Sequence, residues 1–166
     1  RALASGGDPA QAMFDFVTSL HRIYRKIELG GGDPKQGVAG KPFCVATPGT
    51  ALGGVYELML AAHHRIAADN PKAKIGLPEV KVGLFPGAGG ATRLPRMLGL
   101  MGAGEFLMKG KLLDPRRALA AGLVDAVVPS EDLLGAARQW VREAPKDAGL
   151  KPWDRKGFRY PGGNAF

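Results

Sequence analysis

The sequence predicts an α/β protein, and three observations carry that expectation. Short apolar runs that read as strands, FCVAT at 43–47, HRIAA at 64–68 and VDAVV at 124–128, alternate with stretches of helical periodicity. A chain of 166 residues with 45% apolar content is long enough to bury a core within one domain. No repeat period or low-complexity segment points to a solenoid or a disordered chain.

Each element has its own signal. In residues 10–29, Met13, Phe16, Val17, Leu20, Ile23, Tyr24 and Ile27 fall at steps of three and four, which predicts a helix with one buried face. Asp8–Pro9 supplies a capping side chain and a proline for its first turn. GGGDPKQGVAGKP at 30–42 ends that helix in a loop. FCVAT follows as a buried strand, and residues 49–62 are expected to form a strand end, a glycine turn and a buried helix from about Val55 to Ala62. HRIAA is the next strand and DNPKAK a turn, after which KIGLPEVKVGLFPGAGG is irregular. GATRLPRMLG and GAGEFLMKG predict two short helices, and DPRRALAAGLV a capped helix running into a strand. SEDLLGAARQWVREA is a final amphipathic helix with Ser130 as its expected cap. From residue 145 onward PKDAGLKPWDRKGFRYPGG loses periodicity and reads as a linker or extension.

Composition narrows the function classes. The single cysteine, Cys44, rules out a disulfide framework within the chain and suits a reducing cytoplasm, the expected location. RALASGGDPAQ has no apolar core of the signal-peptide kind. It also has no initiator methionine, which reads as a processed, trimmed or partial chain. The longest candidate membrane span, 42–62, contains Pro48, glycines and Glu57, which suits a buried strand–turn–helix better than a span. The net charge is +8. Its cations recur in small groups (Arg22, Arg25 and Lys26; Arg93 and Arg96; Arg116 and Arg117; Lys151, Arg155, Lys156 and Arg159), which read first as solvated helix faces. A nucleic-acid partner would need a basic stripe with aromatics or a known module, and none is visible. A phosphate-rich small molecule is the intermediate reading.

Two glutamates stand out. In LGGVYE a turn ends at Gly53–Gly54 and a helix begins, so unpaired N–H groups and the positive end of the helix dipole face whatever approaches the glycines. Glycine allows close approach to backbone, and such a spot stabilises a developing oxyanion. Glu57, three residues after Gly54, lies one turn on along the same face. A first-turn glutamate in solvent is the simpler account, but Leu58, Met59 and Leu60 follow directly, and a carboxylate in a buried helix needs a reason. Glu79, in GLPEVKVG, reads equally as a loop carboxylate or as a partner for Glu57. PGAGG at 86–90 does not fit either phosphate-loop pattern, G-x-x-x-x-G-K-[ST] or G-x-G-x-x-G.

KPFCVATPGTALGGVYELMLAAHHRIAADNPKAKIGLPEVKVGLFPGAGGATRLPRMLG resembles the enoyl-CoA hydratase/isomerase (crotonase) family. More narrowly it resembles the hydratase part of bacterial multifunctional fatty-acid oxidation proteins, which is fused to a 3-hydroxyacyl-CoA dehydrogenase. The resemblance covers about residues 10–145, centred on 41–99. It implies a crotonase-like (ClpP/crotonase) α/β fold. Gly54 matches the family's oxyanion-hole donor, Glu57 and Glu79 its pair of catalytic glutamates, and Gly87 the glycine that helps hold the catalytic water. The implied activity is hydration of trans-2-enoyl-CoA in β-oxidation, with coenzyme A part of the substrate. No metal and no resident cofactor are expected, NAD belonging only to a dehydrogenase part not present here. The expected partners are an acyl-CoA thioester and either further copies of the chain or a larger fatty-acid oxidation polypeptide, with no nucleic acid.

The departures carry expectations of their own. Val55 stands where family members usually have a third small residue, and ATR at 91–93 where the fused proteins more often have T-Q-R. The family's first oxyanion donor lies in a segment of F-x-A-G-x-D type, which does not occur before residue 41, and residues 10–29 resemble the helix that follows it. The chain is therefore expected to be truncated at its N-terminus relative to the family: residues 1–144 a partial hydratase domain, residues 145–166 a linker or extension resembling the connector to a dehydrogenase part. Two other readings stay open. One is a non-catalytic acyl-CoA-binding or oligomerising remnant, the other an isomerase or hydrolase of the same superfamily.

Overall fold

The structure, a computed structural model, describes residues 8–163. Residues 1–7 and 164–166, the ends of the two expected domain ranges, lie outside the described residues. Helix α1 (Pro9–Leu29) starts as its sequence predicts: the Asp8 side chain accepts from the Ala10 N–H at 2.9 Å, Pro9 occupies the first turn, and Gly30, at φ 55°, ends it. Strand β1 (Cys44–Thr47) leads to the short β2 (Ala51–Leu52), helix α2 (Gly54–Ala61) and strand β3 (His64–Ala68). A two-residue β4 (Ile75–Gly76) precedes the 3-10 turn Glu79–Val82. Helix α3 (Gly90–Leu107) is followed by β5 (Leu112–Leu113), α4 (Pro115–Ala120), β6 (Ala126–Val128) and α5 (Leu133–Glu143). The two short helices expected in 90–99 and 102–110 are both present within α3, on either side of a kink at Gly99, whose φ of 76° and ψ of 168° break the helical path.

The strands form two small sheets. One has the order β1-β3-β6, all parallel, with Cys44 opposite His64 and Ile66 opposite Ala126. The other has the order β2-β4-β5, with β2 parallel and β5 antiparallel to β4. Tyr56, Met59 and Leu60 of α2, Leu94 and Phe106 of α3, and Leu77, Leu123 and Val124 form the main core. A second cluster packs Leu133 and Ala137 of α5 against Ile66 and Ala68 of β3. Burial of such side chains contributes about 1.5–3 kcal/mol each.

Two expectations need correction. The apolar face of α1 is buried only toward its C-terminal end, where Tyr24, Leu20 and Ile27 pack against Ala61 and Ala88. Met13 and Phe16 are each 59% exposed, and Ile23 is half exposed. Periodicity reports that a face is apolar, whereas only packing decides how much of it meets a partner. Ser130 does not cap α5: it opens a 3-10 turn, Ser130–Asp132, α5 starts at Leu133, and no side chain caps either start. Pro129 directs the turn instead, its carbonyl accepting from the Asp132 N–H at 3.1 Å.

Residues 145–163 pack back on the body. Lys151 is 3% exposed and donates to the carbonyls of Leu60, at 3.0 Å, and Ala62, at the C-terminal end of α2. A cation there meets the negative end of the helix dipole. Arg65 joins it, donating to Ala62 O at 3.2 Å and to Asp125 at 2.7 Å, and so ties β3 to the approach to β6. Among the described residues no helix is long and apolar enough to cross a membrane.

Candidate active site

The glycine turn before α2 forms as its sequence suggests. Gly53 adopts φ 55° and ψ −132°, a conformation that side chains rarely reach, and Gly54 opens the helix. No side chain caps this end, so the first N–H groups of α2 point outward unclaimed by a capping residue. Gly54 is exposed. Its carbonyl, on the opposite side of the turn, accepts from the Tyr24 hydroxyl of α1 at 3.2 Å. Val55 is 59% exposed and packs into no core cluster of the described residues.

Glu57 is not in solvent: it is 3% exposed. One carboxylate oxygen, Oε1, accepts from the N–H groups of Ala88 and Gly90, each at 2.8 Å, in the PGAGG loop. A Cβ at Gly90 would lie 3.1 Å from that oxygen, so the third glycine of the loop makes room for the carboxylate. Burial raises the Glu57 carboxyl above its ordinary pKa. The two N–H bonds oppose the rise, the charge of Glu79 adds to it, and Arg93 opposes it.

Glu79 opens the 3-10 turn that Gly83, at φ 75°, closes. Its carboxylate lies against the glycine turn, with Oε1 3.2 Å from where a Gly53 Cβ would stand. Its other oxygen, Oε2, is buried with no hydrogen-bond partner among the described residues. A buried acceptor without a protein donor keeps its capacity to accept a hydrogen bond from a small molecule beside the turn. Glutamates from two segments thus meet beside one helix N-terminus. Gly87 belongs to the same loop, where its carbonyl accepts from His21 Nε2 of α1 at 2.6 Å. The structure thus sets Glu57 against the loop that contains Gly87, and Glu79 against the glycine turn that leads into Gly54.

Behind the loop stands a set of charges that sequence reading did not single out as a group. Arg93, 7% exposed, donates through Nη1 to Ala88 O at 3.0 Å and through Nε to Glu28 Oε1 at 2.8 Å. Glu28, 3% exposed, also takes Arg25, which grips Asp154 with both terminal nitrogens at 2.8 Å. The available signal was Glu28 itself, a carboxylate four residues after Tyr24 on the buried side of α1. These groups line a cleft of about 400 Å³ on the far side of the loop, with His21, Arg96 and Trp153. Neither Glu57 nor Glu79 lines it.

Residues 38–150 match the family model described as enoyl-CoA hydratase/isomerase. The chain belongs to the enoyl-CoA hydratase/isomerase family. Solved members of similar structure include an enoyl-CoA hydratase from Thermoplasma volcanium, 35% identical over 87% of this chain and 53% of that one, with a TM-score of 0.67. An enoyl-CoA hydratase from Bacillus anthracis is 30% identical over 84% of this chain and 49% of its own, with a TM-score of 0.65. Pseudomonas aeruginosa DspI is 31% identical over 84% and 48%, with a TM-score of 0.68. The fold is the crotonase-like α/β fold that the resemblance implied. The chain spans about half the length of these solved relatives.

Proposed function

We propose that this family member acts on enoyl-CoA thioesters as a hydratase, with Glu57 and Glu79 moving the protons and Gly54 receiving the thioester oxygen. The observation that carries the reading is the meeting of the two glutamates beside the α2 N-terminus, one oxygen of Glu79 buried without a donor. Burial raises the Glu57 carboxyl and the charge of Glu79 adds to the rise, which suits Glu57 to carry a proton for transfer, as hydration needs. The ionised carboxylate takes a proton from water as its oxygen bonds to the β-carbon. The C=C electrons move toward the carbonyl, and the negative charge on the thioester oxygen is stabilised at the helix N-terminus. The protonated carboxyl then gives its proton to the α-carbon, so that water is added and the pair has exchanged its protonated member. Gly87 is the proposed neighbour of the water. The basic groups on the surface suit the phosphates of coenzyme A.

The proposal extends to β-oxidation, and to residues 145–166 as the connector toward a dehydrogenase part of a larger polypeptide, on the resemblance of the sequence to fused proteins of that kind. The test follows the loss of enoyl-thioester absorbance with crotonyl-CoA. It uses the chain as it stands and the chain extended by an upstream segment that carries an F-x-A-G-x-D motif. Glu57→Gln and Glu79→Gln should each reduce turnover by about 10²–10⁴-fold. The unextended chain should be slower than the extended one by about 10²–10³-fold, the usual cost of one oxyanion donor. An inert extended protein, or full rates in both glutamine variants, would leave the non-catalytic remnant as the better reading.

A further inference from the structure

PGAGG presents two N–H groups to Glu57, yet three of its five residues are glycine, so its own sequence does not make it rigid. What holds it comes from two other elements. The peptide between Gly87 and Ala88 is planar, so fixing its carbonyl fixes its N–H. His21 Nε2 donates to that carbonyl at 2.6 Å, and the N–H on the other side of the same peptide is the Ala88 donor to Glu57. The next carbonyl, of Ala88, accepts from Arg93 Nη1 at 3.0 Å. Gly89 between the two N–H donors has φ 105°, and a Cβ there would collide with Arg93 Nη1, so the guanidinium occupies the space that a side chain would need.

Arg93 is itself immobilised. Glu28 holds its Nε, its guanidinium lies 5.9 Å from the Tyr24 ring centre, and Glu28 is held by Arg25, which Asp154 holds in turn. A buried ion pair of this kind often gives no more stability than apolar side chains of the same volume. Its placement against the loop supplies another reason for it. We propose that His21 and Arg93 are positioning residues for Glu57: together they fix the consecutive peptides on either side of Ala88 and keep the Ala88 N–H aimed at the Glu57 carboxylate, while the Gly90 N–H is held by the first turn of α3. The catalytic consequence rests on the hydratase reading, while the positioning itself does not.

The test is a carbon-detected NMR titration of Glu57 in glutamate-labelled protein, its signal assigned by loss in Glu57→Gln. Crotonyl-CoA turnover is measured alongside. The charged or titratable groups around Glu57 are Glu79 from the 3-10 turn, Tyr24 and His21 from α1, and Arg93 from α3. His21 is exposed, so His21→Leu removes the clamp without disturbing a core. His21→Gln keeps an N–H donor without the ring's own titration. Arg93→Met alone would strand Glu28, so it is combined with Glu28→Gln. The N–H bonds favour the ionised carboxylate, so a loosened loop should let Glu57 titrate at higher pH in His21→Leu and in Glu28→Gln/Arg93→Met. His21→Gln should return toward wild type. Turnover should fall by up to about 10²-fold, in kcat rather than KM. Because loss of the Arg93 charge alone raises Glu57, the His21→Leu titration decides: no change there overturns the inference, as does a His21→Gln titration matching that of His21→Leu. If the protein extended by the F-x-A-G-x-D segment hydrates nothing, the hydratase reading fails while the titration still decides the positioning.

Discussion

Glu57 sits where burial and hydrogen bonding oppose each other. Burial raises its pKa, and the N–H groups of Gly90 and Ala88 hold the rise down. An acid raised on folding binds its proton more tightly in the native state. Its contribution to stability is therefore full below the unfolded value of about 4.3 and is lost as pH climbs through the folded value. Glu57→Gln keeps an acceptor for both N–H groups and removes the buried charge. It should be at least as stable as wild type at pH 7, and its advantage should shrink as pH falls toward 5. Urea unfolding midpoints at pH 5, 6 and 7 measure this, and a variant much weaker than wild type at pH 7 would contradict it. Sites built for chemistry commonly give up stability in this way.

At the scale of elements, α2 is secured at both ends by residues distant in sequence. Tyr24 of α1 holds its first turn, and Lys151 holds its last carbonyls. Burial lowers Lys151 to about 7, with the cations Arg65 and Arg93 acting in the same direction and Glu28 opposing. A lysine depressed on folding loses its proton in the native state while the unfolded chain keeps it. Stability should therefore rise with pH from about 7 toward the ordinary lysine value of about 10.4. His63, also lowered by burial and by Lys151, acts in the same direction at lower pH. Lys151→Met should remove the rise above pH 7 and, by leaving the Leu60 carbonyl without its donor while Ala62 keeps Arg65, cost about 1–3 kcal/mol. Unfolding midpoints from pH 6 to 8, below the range in which the buried Cys44 thiol, raised to about 11, acts in the opposite direction, would show the rise in wild type and its absence in the variant. A wild type flat across that range would exclude a buried lysine of this kind.

At the scale of the molecule, several apolar side chains have no cover among the described residues. Phe14 is 66% exposed, Leu84 65%, Phe85 75% and Met101 90%. β1 and β6 flank β3, so each has one edge with no strand beside it among the described residues. Open edges and apolar patches of this sort pair with other chains. The 166-residue chain should therefore self-associate at micromolar concentration, and Phe14→Ser with Phe85→Ser should lower its weight-average mass in sedimentation velocity. A monomeric wild type with a sharp thermal transition would contradict this.

Much of this protein follows from its sequence alone. The order and kind of its longer elements, the cap of α1 at Asp8, and the glycine turn running into a helix that carries Glu57 all depend on local backbone preferences, whereas the two-residue strands β4 and β5 were not legible in the sequence. Side-chain periodicity and the steric demands of glycine and proline report those directly. Tertiary structure decided how far the apolar face of α1 is buried, that a proline-led turn replaces the expected Ser130 cap, and that Glu57 reaches the backbone of a loop more than thirty residues away. It also decided that Asp154 and Arg25, 129 positions apart, close a chain of charges that ends at that loop. Such pairings leave no local trace, because each partner's periodicity is satisfied in many arrangements. Packing alone determines which buried donor meets which acceptor.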